Sequence, residues 1–396
     1  MLSGEFPPRS GGIADYTSRL ASALEHSGCS VQVVTQDETG GQTRDGPYAV
    51  RSWSVGGIRA VSGAIRRFGA DVVHIQYQTA AFQMNPTINF LPLLLRLNGV
   101  RAPVVTTFHD FRAPFLFRGA GAVRPLANHL LVGFSSAVLF TDPADLLRAH
   151  PRRPAAWIPI GPNLWPSPGH RTPIDQARAW LGLPLGVGVV CYFGFLNHSK
   201  GVDTLIESIR LLADSGRNIR LLLIGDALGS SDPSNRETLG RVNADIERLG
   251  LQDHVMRSGP LLPREVSTWL AASDCAALPF VDGASLRRGS LLACLAHAIP
   301  VVSTFPEPMP RLADRWLVAP FCNQEEYRLS GAELALVRPG DSHSLAGTIG
   351  QLLDSPPEAH AMGLRGRALA ERLGWPRIAD ATMSMYERAL SANESL

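Results

Sequence analysis

Short apolar runs rich in β-branched residues alternate with helical patterns along the first half of the chain. Five runs predict strands because turn residues bound each of them: CSVQVVTQ, DVVHIQYQ, APVVTTFHD, SAVLFTD and AAWIPIGP. The stretch GIADYTSRLASALEHSG (12–28) predicts a helix, since its apolar residues recur at helical spacing and Gly28 can end it. Alternation of this kind predicts a parallel sheet with helices on both faces.

The same pattern starts again after a stretch crowded with proline, glycine and serine, GPNLWPSPGHRTP (161–173). The second set of predicted strands is VGVVCYFGFL, IRLLLIGDA, HVMRSGPL, CAALPFVD, IPVVSTF and LALVRPGD. We therefore predict an α/β protein with two doubly wound, Rossmann-like domains that face each other across a cleft. The expected parts are an N-terminal domain (1–163), a linker (164–173), a C-terminal domain (174–374) and a last helix (375–396) that crosses back to the N-terminal domain.

Composition excludes several classes of protein. Of the 396 residues, 45% are hydrophobic and 18% are charged, which is typical of a packed globular protein. The net charge of +2 does not favour binding to nucleic acid. No signal peptide is visible, and the longest apolar stretch, INFLPLLLRLNGV (88–100), is too short to span a bilayer. We expect this stretch to form a core or cleft-lining helix, and a helix on a membrane surface is the alternative.

The cysteines and the first residues each support one further expectation. The five cysteines lie far apart without a CxxC pair, which favours free thiols and a cytoplasmic protein. The opening residues, MLSGEF, are typical of the end of a strand. We therefore expect the natural start of the protein to lie a few residues upstream.

Several segments follow one another in a recognisable order: GEFPPRSGGIADYT, DVVHIQYQ, VVTTFHD, FGFLNHSKGVDTLIESI, LLLIGDA, HVMRSGPLLPREVSTWLAASDCAALPF and RPGDSHSLAGTI. In this order they resemble the retaining glycosyltransferases of family 4, and the resemblance covers nearly the whole chain. It implies the two-domain GT-B fold and the transfer of a sugar from a nucleoside diphosphate donor.

The first half of the chain supplies candidates for binding the donor. Gly11 and Gly12 lie between a predicted strand and a helix, where backbone N–H groups and the helix dipole favour a phosphate. A plain tight turn is the alternative. Asp15, one turn into the helix, either accepts a sugar hydroxyl or complements the dipole. At the end of a strand, the resemblance implies that His109 contacts the donor sugar, with Asp110 beside it.

The acceptor is also expected in the N-terminal domain. Gln76 and Gln78 alternate with Tyr77, so we expect them to face the cleft and bind hydroxyl groups, whereas His74 is expected to pack within its strand. The segment FRAPFLFRGAGAVRP (111–125) places Arg112 and two other arginines among aromatic residues. This favours an anionic or lipid-linked acceptor and peripheral membrane contact, and an ordinary amphipathic segment is the alternative.

Lys200 is the leading candidate for binding the donor phosphates. The segment NHSKG places it just before a predicted helix, and the resemblance implies that it binds the diphosphate. A fixed cation would stabilise the negative charge that collects on the departing diphosphate. The family has an arginine five residues earlier, where this chain has Phe195. We take Lys200 and His109 as candidate catalytic residues; a solvated surface lysine is the alternative for Lys200.

The segment DGASLRRGSLLACLAHAIPVVST (282–304) departs from the family pattern. The family has two glutamates separated by seven residues, which contact the donor sugar and the ribose. Alignment on Pro300 places Ser285 and Ala293 at these positions. The segment offers other candidates ahead of its helix: Asp282, Arg287, Arg288, Gly289 and Ser290. Arginines at a helix start form an anion site, so we expect Arg287 or Arg288 to offset the missing arginine. In the alternative, both pair with local acids or lie on the surface.

The remaining expectations concern the base and the reaction. The resemblance places Gly225, Asp226, Arg257 and Ser258 around the base. The sequence has no DxD motif at a strand end, so we expect neither a metal nor a cofactor. It predicts a retaining glycosyltransferase of the hexosyltransferase type that binds a sugar donor and a glycan, lipid-linked or small-molecule acceptor. A non-catalytic sugar- or nucleotide-binding relative and a sugar-nucleotide epimerase are the alternatives.

Overall fold

The computed structural model describes residues 1–9, 11–37, 41–42, 47–111, 123–166, 172–225 and 234–394. The chain divides into two compact units. The first unit comprises Met1–Gly161, Met309–Glu326 and Gly374–Leu396, and the second comprises Pro162–Pro308 and Tyr327–Leu373. Two predicted site residues, Arg112 and Asp226, lie outside the described residues.

The first unit is built on one sheet. As far as residue 161, its helices and strands are β1 (Leu2–Ser3), α1 (Gly12–His26), β2 (Val34–Gln36), β3 (Gly41–Gln42), β4 (Tyr48–Val50), α2 (Val55–Phe68), β5 (Val73–Tyr77), α3 (Leu91–Leu97), β6 (Val104–Phe108), α4 (Val123–Phe134), β7 (Ala137–Phe140), α5 (Pro143–Ala149) and β8 (Ala155–Trp157). The strand order is β3-β4-β2-β1-β5-β6-β7-β8, and β3 pairs antiparallel with β4 while the others run parallel. The order reverses between β1 and β5, which is where doubly wound sheets bind ligands.

Burial on both faces explains the strands of this sheet. Every residue of β5, β6 and β7 is buried, as expected for central parallel strands covered by helices. The helices follow from local signals as well. α1 buries Ile13, Leu20 and Leu24 on one face. α5 has proline at its first position, and the Asp142 carboxylate before it accepts a hydrogen bond from the N–H of Ala144.

The second unit is a parallel sheet of six strands within the described residues. Its helices and strands are α6 (Ile174–Trp180), β9 (Gly188–Phe193), α7 (Val202–Asp214), β10 (Ile219–Ile224), α8 (Ser234–Arg248), β11 (Val255–Arg257), α9 (Pro263–Ala271), β12 (Cys275–Leu278), α10 (Gly289–Ala296), β13 (Val301–Thr304), β14 (Ala335–Val337), α11 (Ser342–Asp354) and α12 (Pro356–Arg372). The strand order is β11-β10-β9-β12-β13-β14, which is the Rossmann order with its reversal between β9 and β12.

The prediction of two doubly wound, Rossmann-like sheets is confirmed. The last helix, α13 (Trp375–Glu394), belongs to the first unit. The sequence did not indicate that the segment Met309–Glu326 also belongs there. Inside the first unit, this segment brings Phe321 to a ring-centroid distance of 6.4 Å from Trp157 at the end of β8.

The longest apolar stretch folds into a short 3₁₀ turn (Pro86–Phe90) followed by α3, whose Leu91 and Leu95 are buried. Within the described ranges, no helix is long and apolar enough to cross a membrane. The five cysteines are free thiols, as expected, and three of them are buried in the second unit: Cys191, Cys275 and Cys294.

Candidate active site

The loop that carries Lys200 is fixed against the end of β12. Gly201, the N-cap residue before α7, has a left-handed φ of 68°, and a Cβ atom at this position would overlap the carbonyl oxygen of Pro279. The N–H of Val281 also donates to the carbonyl of Ser199 at 3.1 Å. The close backbone contact at Gly201 and the hydrogen bond from Val281 hold the β9–α7 loop beside the residues that follow β12. The order of the strands reverses at this point.

Phe280 lies beneath two cations. The Lys200 ammonium nitrogen is 5.1 Å from the centroid of the Phe280 ring, and the Arg288 guanidinium carbon is 4.7 Å from it. Both distances are typical of cation–π contacts. Arg288 also forms an ion pair with Asp282. Phe280 therefore brings the positive charges of two separate loops to one place.

Electrostatics at Lys200 favour an anionic ligand. Burial, followed by the charge of the nearby Arg288, lowers the pKa of Lys200 to about 8, while Asp282 acts in the opposite direction. A buried cation with an unfavourable charge balance gains most when an anion binds next to it. A phosphate at this position would supply the missing negative charge.

The start of α10 adds backbone donors to these cations. Arg288 occupies the N-cap position, Gly289 is the exposed first residue, and the Ser290 hydroxyl lies 3.4 Å from the Lys200 ammonium nitrogen. The first N–H groups of a helix have no intrahelical acceptor and carry partial positive charge. Lys200, Arg288, Gly289 and Ser290 thus lie close together, and their role in binding a phosphate stays a prediction. Arg287 is half-buried on the same loop.

Glycines at the ends of β9 and β10 extend this surface. A Cβ atom on Gly194 would lie 3.7 Å from Ser290 Cβ and 4.0 Å from the Lys200 ammonium nitrogen. A Cβ atom on Gly225 would lie 3.7 Å from the Gly194 carbonyl oxygen. The N–H of Gly225 donates to the Ser258 hydroxyl at 2.9 Å. Gly225 and Ser258 therefore lie close to the predicted phosphate residues.

Arg257 has a different setting from Ser258. Its side chain is exposed and donates to the Asn243 amide oxygen at 2.7 Å, on α8. In the described contacts, the Arg257 side chain is therefore hydrogen-bonded to helix α8, whereas the Ser258 hydroxyl accepts a hydrogen bond from the backbone of Gly225.

The two positions aligned with the family glutamates differ in exposure. Ser285 is half-buried, and its hydroxyl oxygen accepts a hydrogen bond from the N–H of Arg287 at 3.3 Å. Ala293 has an exposed fraction of only 1%. Its methyl group is enclosed by protein and offers no hydrogen-bonding group, and the placement of Ala293 in the ribose region stays a prediction.

The start of α1 is less suited to a phosphate than the sequence predicts. A Cβ atom on Gly11 would meet the Glu5 carboxylate. Because that carboxylate lies at the start of α1, it would repel a phosphate there when ionised. Gly12 and Asp15 are exposed in the first turn of α1, so Asp15 remains available to a ligand hydroxyl.

His109 lies just beyond β6 and is held on two sides. One ring nitrogen, Nε2, is 2.9 Å from the amide oxygen of Gln76, and the Tyr16 ring packs edge-on with a centroid distance of 4.4 Å. Burial lowers the pKa of His109 to about 3, so the ring is neutral at physiological pH. Asp110 and Gln78 are half-buried beside this position.

Gln76 corrects one prediction. It is fully buried, with an exposed fraction of 0%, and its amide contacts His109 and His74. The expected contact between Gln76 and an acceptor is therefore wrong, because no part of its side chain reaches the surface. The expectation that His74 packs within the sheet agrees with its burial.

Sequence reasoning missed four residues that shape these sites: Glu5, Tyr16, Gln76 in its buried role, and Phe280. Phe280 had a usable signal, since an aromatic residue lies two positions after a strand of a doubly wound sheet and precedes an arginine-rich loop. Tyr16 and Glu5 gave no such signal, because their contacts with His109 and Gly11 arise only in the folded unit.

Two family models match the chain in sequence order. A model described as "Glycosyl transferase 4-like domain" matches residues 11–162, and one described as "Glycosyl transferases group 1" matches residues 188–355. The chain belongs to the family 4 glycosyltransferases.

The curated proteins that resemble this chain are distant relatives. It is 29% identical over 193 residues to an MMP alpha-(1->4)-mannosyltransferase of Mycolicibacterium hassiacum, covering 48% of this chain and 41% of that protein. It is 28% identical over 231 residues to a D-inositol 3-phosphate glycosyltransferase of Corynebacterium aurimucosum, covering 57% of this chain and 49% of that protein. The chain spans about half the length of the curated relatives that it matches.

Solved structures share the fold of this chain over nearly its full length. A sucrose-phosphate synthase from Thermosynechococcus elongatus superposes with a TM-score of 0.70 at 19% identity, covering 97% of this chain and 94% of that one. Anabaena Alr3699/HepE in complex with UDP and glucose gives a TM-score of 0.67 at 19% identity, covering 97% of each chain. At these identities the likeness shows the fold.

Proposed function

We propose that the chain transfers a sugar from a nucleoside diphosphate donor to an acceptor with retention of configuration. The observation that carries this proposal is the meeting of Lys200, Arg288 and the start of α10 where the second sheet reverses its strand order. Support also comes from Anabaena HepE, which has the same fold and whose structures contain UDP and UDP-glucose. The relatives named as mannosyl and inositol-phosphate glycosyltransferases support a sugar-transfer reaction.

The diphosphate is the part of the donor that this site suits best. Its negative charge increases as the sugar leaves, so a fixed cation stabilises the transition state more than the ground state. Lys200 and Arg288 supply this charge together with the backbone donors of α10. Because protein cations can fill this role, we propose that the transfer needs no metal ion.

Lys200 has a further distinction. The sequence contains 37 lysine and arginine residues, and Lys200 is the only lysine among them. A lysine provides a compact point charge with donors that turn freely, whereas arginine presents a rigid planar fork. The single lysine lies at the proposed diphosphate site, which supports a specific requirement for an ammonium group there.

Asp282 is our proposed substitute for the absent glutamates. Its side chain has an exposed fraction of 49% and is paired with Arg288 in this structure. When Arg288 takes a phosphate oxygen as partner, the Asp282 carboxylate becomes available to accept hydrogen bonds from hydroxyl groups of the donor. Replacement of Asp282 by asparagine should then weaken binding of the sugar nucleotide.

The chemical step requires little covalent help from the protein. We propose that the leaving phosphate oxygen takes the proton of the acceptor hydroxyl as the new glycosidic bond forms on the same face of the sugar. Lys200 and Arg288 stabilise the departing diphosphate, and His109 contacts a sugar hydroxyl. The contribution of the protein is then mainly positioning and charge stabilisation.

The proposal is tested by incubating the protein with a panel of sugar nucleotides and candidate acceptors, and by reading the anomeric configuration of the product by NMR. We expect transfer with retention in the wild type and none in Lys200→Met. Inversion would contradict the proposed mechanism.

One observation favours a second candidate, a non-catalytic nucleotide-binding relative. Neither Ser285 nor Ala293 supplies a carboxylate, and Ala293 is enclosed. Tight nucleotide binding without turnover, for every donor and acceptor in the panel, would favour this candidate over the transferase.

A further inference from the structure

A chain of buried polar groups runs behind His109 in the first unit. The His109 ring contacts Gln76, whose amide lies against the ring of His74. His74 in turn lies 2.7 Å from the Thr107 hydroxyl through Nε2 and 2.7 Å from the Tyr386 hydroxyl of α13 through Nδ1. Gln76 and His74 are both buried, so these groups must satisfy one another.

The orientation of the Gln76 amide follows from its two neighbours. Its nitrogen lies 3.3 Å from His74 Nε2 and 3.4 Å from His74 Nδ1, while its oxygen faces His109. In this orientation the amide N–H can donate to the unprotonated nitrogen of the neutral His74 ring, while the carbonyl oxygen accepts from His109. The arrangement therefore offers His109 an acceptor and not a donor.

This fixes the proton on the His109 ring. A carbonyl oxygen 2.9 Å from Nε2 requires that Nε2 carries the proton and donates it. Because burial keeps the ring neutral, the other nitrogen, Nδ1, then holds a lone pair. Among the described residues, no hydrogen-bond partner contacts Nδ1. The Tyr16 ring restricts the tilt of the imidazole from a second direction.

We infer that Gln76 is a positioning residue that locks His109 in its Nε2–H form, so that Nδ1 accepts a hydrogen bond from a hydroxyl of the sugar substrate. A neutral acceptor nitrogen selects a hydroxyl and rejects a phosphate oxygen, which offers no hydrogen. The sugar contact rests on the proposed function, whereas the state of the His109 ring does not.

The ring state is measured directly on the wild-type protein. Histidine labelled with ¹⁵N gives well-separated NMR signals for protonated and unprotonated ring nitrogens, and His109→Gln identifies the signals of His109. We expect a protonated Nε2 and an unprotonated Nδ1 near neutral pH. The opposite tautomer would show that the Gln76 amide is reversed, and a doubly protonated ring would show that His109 is charged. Either result overturns the inference.

Gln76→Met removes the amide while keeping a side chain of similar length. We expect the Nδ1 and Nε2 signals to shift toward a mixture of both tautomers, and kcat/KM to fall by about tenfold or more. Thr106→Val is the matched control, because it removes a buried hydroxyl that contacts Ser135 and not His109. It should lose similar stability and leave the His109 signals and turnover unchanged.

The outcomes separate this inference from the proposed function. If His109 signals in Gln76→Met match those of the wild type, Gln76 does not set the tautomer and the inference is wrong. If the tautomer changes as expected while turnover per folded molecule stays the same, the sugar contact is wrong. Should the wild type bind no sugar nucleotide, the proposed function fails, and the NMR result still decides the role of Gln76.

Discussion

The ammonium nitrogen of Lys200 lies 3.4 Å from the hydroxyl oxygen of Ser290. This contact joins the loop after β9 to the first turn of α10, two segments that are 90 residues apart in the sequence. The two strands that lead into these segments flank the reversal of strand order in the second sheet. Positive charge and free backbone N–H groups therefore meet where Rossmann sheets bind the phosphates of nucleotides.

Replacing Lys200 by methionine should weaken binding of a nucleoside diphosphate by about tenfold or more, because a charge-assisted contact is lost. The fold should remain intact, since methionine keeps the packing against Phe280. Arg367→Met is a suitable control because Arg367 is a half-buried residue of α12 that pairs with Glu371. Calorimetric titration checks both variants, and unchanged affinity in Lys200→Met would place the diphosphate elsewhere.

Donor binding should weaken as the pH rises above about 8. Burial, followed by the charge of Arg288, lowers the pKa of Lys200 to about 8, so the free protein loses the cation above this pH. A bound phosphate holds the proton on Lys200, and affinity should therefore fall by up to about tenfold per pH unit. Titrations between about pH 7 and 10 test this, and Lys200→Met should lack the dependence.

Stability should change in the opposite direction over the same range. The folded pKa of Lys200 is about 8 and its ordinary value is 10.5, so between these values the unfolded chain binds a proton that the folded chain does not. The free energy of unfolding of the wild type should then rise with pH relative to Lys200→Met. Urea denaturation of both proteins without ligand checks this, and a constant difference would contradict it.

Gly201→Ala should disturb the site through the backbone. The substitution combines a left-handed φ of 68° with an overlap between the new Cβ and the Pro279 carbonyl. We expect a loss of more than about 1–2 kcal/mol in stability together with weaker nucleotide binding. Gly216→Ala is the matched control, since its φ is 81° but nothing lies within 4 Å of the added atom. Equal losses in the two variants would show that the contact with Pro279 does not hold the loop.

The fold was more predictable than the site, for a physical reason. Parallel strands covered on both faces form continuous apolar runs, which the sequence displays directly. Because both faces of the sheet are covered, the prediction for Gln76 was wrong. Alternation along a strand indicates an open face only when one side of the sheet is exposed, and β5 is buried on both sides. Its polar side chains therefore contact one another and His109.

Around Lys200, too, some features were visible in the sequence and others arise only on folding. A lysine before a helix start in a strand–loop–helix pattern was recognisable from the sequence. The contact of Phe280 with Lys200 and Arg288 was not, because it depends on the approach of Gly201 to Pro279. Alignment on Pro300 likewise located Ala293 but carried no information about its burial.

Ala293→Glu should destabilise the protein and should not restore a ribose contact. The exposed fraction of Ala293 is 1%, so an ionised carboxylate there would lack both water and a partner. We expect a loss of about 3–5 kcal/mol in the free energy of unfolding. Ala293→Gln, which adds similar volume without charge, should lose less. Tighter nucleotide binding by a stable Ala293→Glu variant would instead show that a ribose reaches this helix.

The most direct test of the central claim compares ligands that differ in phosphate number. UDP, GDP and ADP, each with its monophosphate, are titrated calorimetrically into the wild type and Lys200→Met. We expect at least one diphosphate to bind the wild type about tenfold or more tightly than its monophosphate, and this difference to shrink in the variant. Equal affinity for each diphosphate and its monophosphate in the wild type would contradict a diphosphate site at Lys200 and Arg288.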